Sequence, residues 1–177
     1  MTREEKALLD TIAFTEGTLG VSNNGYDVVV GSKRLISGWT KDTTIVHGGS
    51  NWYDKSTNST AAGRYQFLYS TWLGGSNSNP GPNLPMTKEN QDKRGLDLIN
   101  NALKNTDKTK LIIKSNFNDA LNKLAKTWAS IPVTSDFTDS NGVHKAGTSY
   151  YNKDGINKTH ISADKIFEIY KLALSKY

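Results

Sequence analysis

Glu16 lies four residues after Ile12 and seven and eight after Leu9 and Leu8, so it continues the apolar stripe of an N-terminal helix. It also falls in the last turn, where the helix dipole disfavours a second negative charge. Partial burial acts in the same direction on a carboxyl group. A carboxyl kept protonated toward neutral pH is what general acid catalysis requires. The same position also reads as a helix end whose side chain frays into water. Catalysis with two carboxylates would need a second acid about 5–5.5 Å or about 6.5–9.5 Å away, depending on stereochemical outcome. Asp27, Asp42 and Asp54 are the candidates. Asp27 follows Tyr26 and reads as a residue that fixes the turn into a strand, while Asp42 and Asp54 lie among small polar residues where a solvated Asp is the default. No spacing marks any of them as a nucleophile. His47, His144 and His160 are the only histidines. They are far apart and no two share a helical spacing, so a zinc site would need them to converge from separate segments.

The elements that must position Glu16 follow from pattern. Thr2 with Glu5 forms a capping box, and Leu8, Leu9, Ile12 and Ala13 recur at helical spacing, with Gly17 as the left-handed stop. Residues 21–60 are rich in Gly, Asn, Ser and Thr. Within them Tyr26–Val30 is a strand candidate, turned back by Gly31-Ser32 into Lys33–Ile36. Helical character returns from Tyr65 through Leu73, and a loop with Pro80, Pro82 and Pro85 follows. Thr87 caps a helix carrying Leu96, Ile99 and Leu103. The clearest helix is expected over 116–129, with Phe117, Ala120, Leu121, Leu124, Ala125 and Trp128 on one face and Pro132 closing it. Residues 133–160 read as a long polar loop. Ser162 caps a last helix with Ile166, Ile169, Tyr170 and Ala173 on one side. The expected class is α+β, in one domain over 1–177: a β-rich lobe of about 21–60 inserted in a helical lobe of 1–20 and 61–177.

The chain has 177 residues and no cysteine, which excludes disulfides and thiolate metal sites. The net charge of +5 suits a polyanionic partner, yet Lys and Arg never form a run of five, and a solvated surface explains them equally well. Nothing resembles a nucleic-acid-binding motif. No apolar run approaches the ~20 residues that would cross a bilayer, so no stable membrane insertion is expected. The charged start Met1–Lys6 has no apolar signal core behind it. The expected history is synthesis in the cytoplasm of a host bacterium, then action at the periplasm and cell wall once a separate factor grants passage.

Three ordered motifs carry a family resemblance: Phe14-Thr15-Glu16-Gly17-Thr18, Gly25-Tyr26-Asp27-Val28-Val29-Val30-Gly31, and Ser59-Thr60-Ala61-Ala62-Gly63-Arg64-Tyr65-Gln66. Together they resemble the lambda-phage-type lysozymes, phage endolysins with lytic transglycosylase activity. Weaker echoes are Lys88–Asp92 and Thr127–Pro132, so the likeness spans roughly residues 7–132. It implies a lysozyme-like α+β fold with an active-site cleft between hairpin and helical lobes, and it places the catalytic glutamate on Glu16. It implies a sugar-binding role for Gly63, Tyr65 and Gln66, and two loops over the glycan at about residues 43–56 and 133–152. Trp52, Tyr53 and Tyr151 are further candidates for sugar contact, Tyr151 standing where the family has a cleft tyrosine. The segment after Pro132 is longer here than in the phage lambda pattern, with Tyr150-Tyr151 before Asn152-Lys153-Asp154-Gly155.

The activity so implied is cleavage of the bond between N-acetylmuramic acid and N-acetylglucosamine in peptidoglycan. A lytic transglycosylase needs a single carboxyl group, which agrees with the want of a clear second one. No cofactor and no metal are required, the partner is a peptidoglycan glycan strand, and a monomer is the simple expectation. The rivals are a muramidase that hydrolyses the same bond with water, a zinc amidase built on the three histidines, and a non-catalytic wall-binding module.

Overall fold

In the computed structural model, which describes residues 1–30, 34–74, 84–152 and 159–177, the first helix α1 spans Arg3–Thr15. Its start is the expected reciprocal box: the Thr2 amide donates to Glu5 Oε2 at 2.9 Å and the Glu5 amide donates to Thr2 Oγ1 at 3.2 Å. It stops where the sequence says it should, with Gly17 in the left-handed region at φ 71°. The described residues form two compact units, Met1–Thr15 with Leu96–Tyr177 and Glu16–Gly95. The second unit thus continues through 61–95, beyond the lobe boundary read from composition.

In the first unit α1 packs against α5 (Ala163–Leu174), burying Leu8, Leu9 and Ile12 with Ile166 and Tyr170. Ser162 caps α5 by accepting from the Lys165 amide at 3.2 Å. Helix α4 (Lys114–Leu124) adds Phe117, whose ring lies 4.9 Å from Tyr170 and 5.1 Å from Phe167. Each fully buried side chain of this kind stabilises the unit by about 1.5–3 kcal/mol. The helix expected over 116–129 therefore begins earlier and ends at Leu124. The Thr127 amide bonds back only three residues, to Leu124 O, so the last turn tightens before Pro132 while Trp128 stays buried.

The segment 133–160, expected to be loop, contains a hairpin of β3 (Phe137–Asp139) and β4 (Gly142–His144), paired Phe137 to His144. Its base is closed by bonds between Val133 and both Gly147 and Thr148. Residues 153–158 of that segment lie outside the described residues, including Lys153, Asp154 and Gly155.

The second unit is built around β1 (Val28–Val29), which pairs antiparallel with β2 (Arg34–Leu35), Val28 opposite Leu35, within the hairpin expected over Tyr26–Ile36. The turn at Gly31-Ser32 lies outside the described residues, as do Pro80 and Pro82. On its other side β1 bonds to 61–63: the Val30 amide donates to Ala61 O and the Gly63 amide to Val28 O. This contact displaces the helix expected from Tyr65. Residues 63–66 form a tight turn, and helix α2 is confined to Tyr69–Leu73. Its Trp72 is fully buried with Phe67, Tyr65 and Met86. Helix α3 (Lys88–Ala102) begins in this unit, with the Thr87 hydroxyl accepting from the Asn90 amide, and runs into the first.

Candidate functional site

Glu16 follows directly on the last residue of α1 and is half-buried. Two residues later Thr18, 2% exposed, donates its hydroxyl hydrogen to Arg64 O at 2.5 Å. That bond ties the chain beside Glu16 to the turn that carries Gly63, Tyr65 and Gln66, joining the first and third motifs.

A buried polar cluster secures the same turn. The Arg64 amide donates to Gln91 Oε1, while Gln91 Nε2 donates to Tyr26 O and Met86 O, each at 2.9 Å. The Arg64 guanidinium donates to Asn24 O and lies 5.2 Å from the Tyr26 ring centroid and 5.9 Å from that of Tyr65. Tyr26 and Tyr65 both donate to Asp92 Oδ1, and Lys88 approaches Asp92 Oδ2 at 3.0 Å. Burial, reinforced by the Asp92 carboxylate, pushes both phenols well above the ordinary tyrosine range. Tyr26 is also stacked on Trp39, whose indole donates to Met86 O.

Of the residues expected to meet sugar, Gly63 and Tyr65 are buried. Tyr65 is 1% exposed and points its hydroxyl at Asp92, so its side chain holds the turn from inside. Gly63 has φ 78°, and a Cβ there would stand 2.3 Å from Gln91 Oε1. Only glycine lets the turn come this close to the Gln91 amide. Gln66 is half-buried and sits at φ 47°, a left-handed conformation uncommon for a residue of its type. Its side chain donates to Gly63 O at 2.9 Å.

Trp52 and Tyr53 close a 3₁₀ turn, Gly49–Trp52. Trp52 is half-buried, and Tyr53 is exposed with its hydroxyl donating to Asn58 Oδ1. His47 organises this loop: Nε2–H donates to Phe67 O at 2.9 Å and Nδ1 accepts from the Gly49 amide at 3.1 Å. These bonds set the neutral tautomer, and burial pushes the imidazole below its ordinary value. Both His47 nitrogens are therefore engaged within the fold. His144 is 3% exposed and bonded to Asp139 Oδ1, and no group of three His, Cys, Asp or Glu could hold a metal ion among the described residues.

Among the other acids of the second unit, Asp42 and Glu89 are exposed, while Asp27 and Asp54 accept internal hydrogen bonds. Asp27 is 3% exposed and accepts from Ser22 and Asn23 through Oδ2. Asp54 accepts from the Ser56 amide and hydroxyl, and the Asp42 side chain lies 83% exposed beside Lys41.

Tyr151 belongs to the first unit. It is 41% exposed, donates to Lys126 O and makes an edge contact with Tyr150. Tyr150 stacks on His144 at 4.2 Å and donates to Asp139 Oδ2. Those bonds hold the Asp139 carboxyl far below the usual range.

Sequence reasoning met Thr18, Arg64, Gln91 and Asp92 only within motifs and gave none of them a supporting role. A signal was present: Gln91 and Arg94 lie on the same stripe of α3 as Ile99, and polar residues on an apolar stripe need buried partners.

A family model described as endolysin matches residues 6–157. Among solved structures, bacteriophage lambda lysozyme complexed with a chitohexasaccharide is 23% identical, with a TM-score of 0.59, covering 98% of this chain and 95% of that one. A second structure, lysozyme from bacteriophage lambda, is 22% identical with a TM-score of 0.56 and the same coverage. The fold is thus the lysozyme-like α+β fold. No curated protein sequence matches the chain.

Proposed function

The chain belongs to the endolysin family, lysozyme-type enzymes that degrade peptidoglycan, and on that footing we propose that it is a lytic transglycosylase with Glu16 as its one catalytic carboxyl group. The substrate is the glycan strand, cut between N-acetylmuramic acid and N-acetylglucosamine. The lambda lysozyme of similar fold was solved with a chitohexasaccharide, a chain of the same kind of β-linked amino sugar. The observation that carries the reading is the engagement of the other acids. In the second unit Asp27 Oδ2, Asp54 Oδ1 and Asp92 Oδ1 accept internal hydrogen bonds, and Asp42 and Glu89 are exposed. None is presented as the second carboxylate that hydrolysis by either stereochemical route would use.

In the proposed reaction Glu16 gives its proton to the glycosidic oxygen as the bond from muramic C1 breaks. The substrate's 2-acetamido group stabilises the electron-poor carbon. The muramic C6 hydroxyl oxygen then bonds to C1, and its proton returns to Glu16, so one carboxyl acts as acid and then as base. The product carries a 1,6-anhydro ring and no water is consumed. In this reading Gln66 hydrogen-bonds the sugar, and Trp52 and Tyr53 offer stacking surfaces. Gly63 and Tyr65 act through the turn they build. The enzyme works as a monomer, and a separate factor opens its way to the wall. No helix among the described residues is long and apolar enough to cross a membrane.

Mass spectrometry of digested peptidoglycan tests the chemistry. Anhydromuropeptides are expected. Products heavier by one water, with reducing muramic acid ends, would overturn the transglycosylase reading in favour of a muramidase.

A further inference from the structure

We propose that His47 is a positioning residue for substrate binding, fixing the turn Gly49–Trp52 against the segment that follows Gln66; the proposal rests on the reading of Trp52 and Gln66 as sugar contacts. The turn has four residues, and the bonds that close it are local, from the Asn51 amide to Gly48 O and from the Tyr53 amide to Ser50 O. His47 supplies a longer reach. Its Nε2–H donates to Phe67 O, 20 residues on, and its Nδ1 accepts from the amide of Gly49, the first residue of the turn. One rigid imidazole thus holds a distant carbonyl and the start of the turn at a set separation.

Each end of this link is itself secured. Phe67 is 2% exposed, its amide donates to Ala62 O at 2.8 Å, and its carbonyl accepts from the Ala62 amide at 3.0 Å. It is also next in the chain to Gln66, so the turn that carries Trp52 is tied beside the amide proposed to bind sugar. Ahead of His47, Val46 bridges to Pro85 and Ile45 O accepts from the Met86 amide. The imidazole centroid lies 5.1 Å from that of Trp52 and 5.3 Å from that of Tyr69. Gly48 and Gly49 let the backbone meet both rings: a Cβ on Gly48 would stand 2.5 Å from Trp52 Cε2, and one on Gly49 3.1 Å from Tyr69 Cε1. Trp52 is left half-buried, with part of its indole open to solvent. Without the two imidazole bonds the turn keeps only its local closure and its ring contacts, and Trp52 loses its set place. A contact made equally in the ground and transition states raises KM when lost and leaves kcat unchanged.

The test compares His47→Phe and His47→Asn with the unaltered protein and with Trp52→Ala, using solubilised glycan strands. Phe keeps a ring against Trp52 and Tyr69 and removes both bonds. Asn puts an acceptor oxygen close to where Nδ1 stood and so keeps the bond to the Gly49 amide. The expected result is a KM raised roughly three- to tenfold in Phe, with kcat within about twofold, and a smaller rise in Asn. Hydrogen exchange at the Gly49 amide should be slow in the original protein and in Asn, and fast in Phe. Unchanged KM in folded His47→Phe would overturn the proposal. So would a loss confined to kcat, an Asn variant no better than Phe, or a Gly49 amide equally protected in Phe. Failure of both variants to fold would make the histidine a folding element and overturn the positioning role. Unchanged KM in Trp52→Ala would instead remove the underlying reading, which separates the two failures.

Discussion

Tyr26 and Tyr65, 39 residues apart in the chain, donate their hydroxyl hydrogens to the same oxygen of Asp92, each at 2.6 Å. Hydrogen bonds to a charged acceptor contribute about 1.5–3 kcal/mol each, and the Asp92 side chain keeps some contact with water. Asp92→Ala is therefore expected to cost about 2–4 kcal/mol, read from the midpoint of urea unfolding. The same pair sets an alkaline limit. Both phenols titrate higher in the folded state than the ordinary value of 10.0, so their contribution is intact below pH 10 and is lost as pH rises above it. Unfolding free energy should be flat from pH 8 to 9.5 and fall beyond 10, less steeply in Tyr26→Phe. An equal alkaline slope in that variant would contradict this account.

Glu16→Gln keeps the shape of the side chain and removes the ionisable proton. Clearing of peptidoglycan suspensions should drop by at least about 10²–10⁴-fold, the range that general acid–base groups supply. The thermal midpoint should change little. Loss of activity together with collapse of the circular dichroism signal would point to a structural role.

Gln66 invites a trade between stability and activity. A left-handed backbone costs a non-glycine residue roughly 1–2 kcal/mol, and strain of this kind persists where a side chain is needed. Gln66→Gly should therefore be at least as stable as the original protein yet clear peptidoglycan more slowly. Gln66→Ala should lose on both counts, since it keeps the strain and removes the bond to Gly63 O. Full activity in the glycine variant would remove Gln66 from the sugar-binding set.

At Gly63 the expected penalty is steric. An added Cβ would press on the Gln91 amide at a point where three hydrogen bonds meet. Gly63→Ala should destabilise by more than about 3 kcal/mol, combining a left-handed penalty with disrupted buried polar groups. Differential scanning calorimetry would register it. A smaller loss would mean that the Gln91 side chain can move aside.

His47 predicts sensitivity to acid. Its folded-state value lies below the ordinary 6.5, so the unfolded chain takes up the proton first. The histidine's contribution is then present above pH 6.5 and is lost as pH falls through the folded value, at no more than about 1.4 kcal/mol per pH unit. Urea unfolding between pH 7.5 and 5 should show this slope in the original protein and a shallower one in His47→Gln. Parallel slopes would count against it.

What the sequence disclosed was local. The box at Thr2 and Glu5, the stop at Gly17, the antiparallel hairpin of β1 and β2 and the cap at Ser162 each depend on residues a few positions apart, and all are found as read. The turn at Gly63–Gln66 was read as helix because its bonds run to Val28, Thr18 and Gln91, which no window around residue 65 contains. The β3–β4 hairpin was legible and passed over: Asn141-Gly142 is a strong turn signal, and Gly142 has φ 120°. Its strands are short and polar, held by Asp139 more than by apolar alternation. At the site, Glu16 stood out by periodicity and motif. The side chains that secure the turn at Gly63–Gln66 did not, because a buried polar group reveals its purpose only when its partner is known.

The bonds that join Tyr26 to Gln91 and Asp92 also impose an order in time. A ribosome emits the chain from the N-terminus, so Tyr26 and Tyr65 are synthesised well before the start of α3 that completes the polar cluster they share. Until residue 92 has emerged, Arg64 and Tyr65 have no finished socket, and the turn bearing Gln66 cannot settle. A nascent chain of this design leaves that turn unassembled through half of its own synthesis.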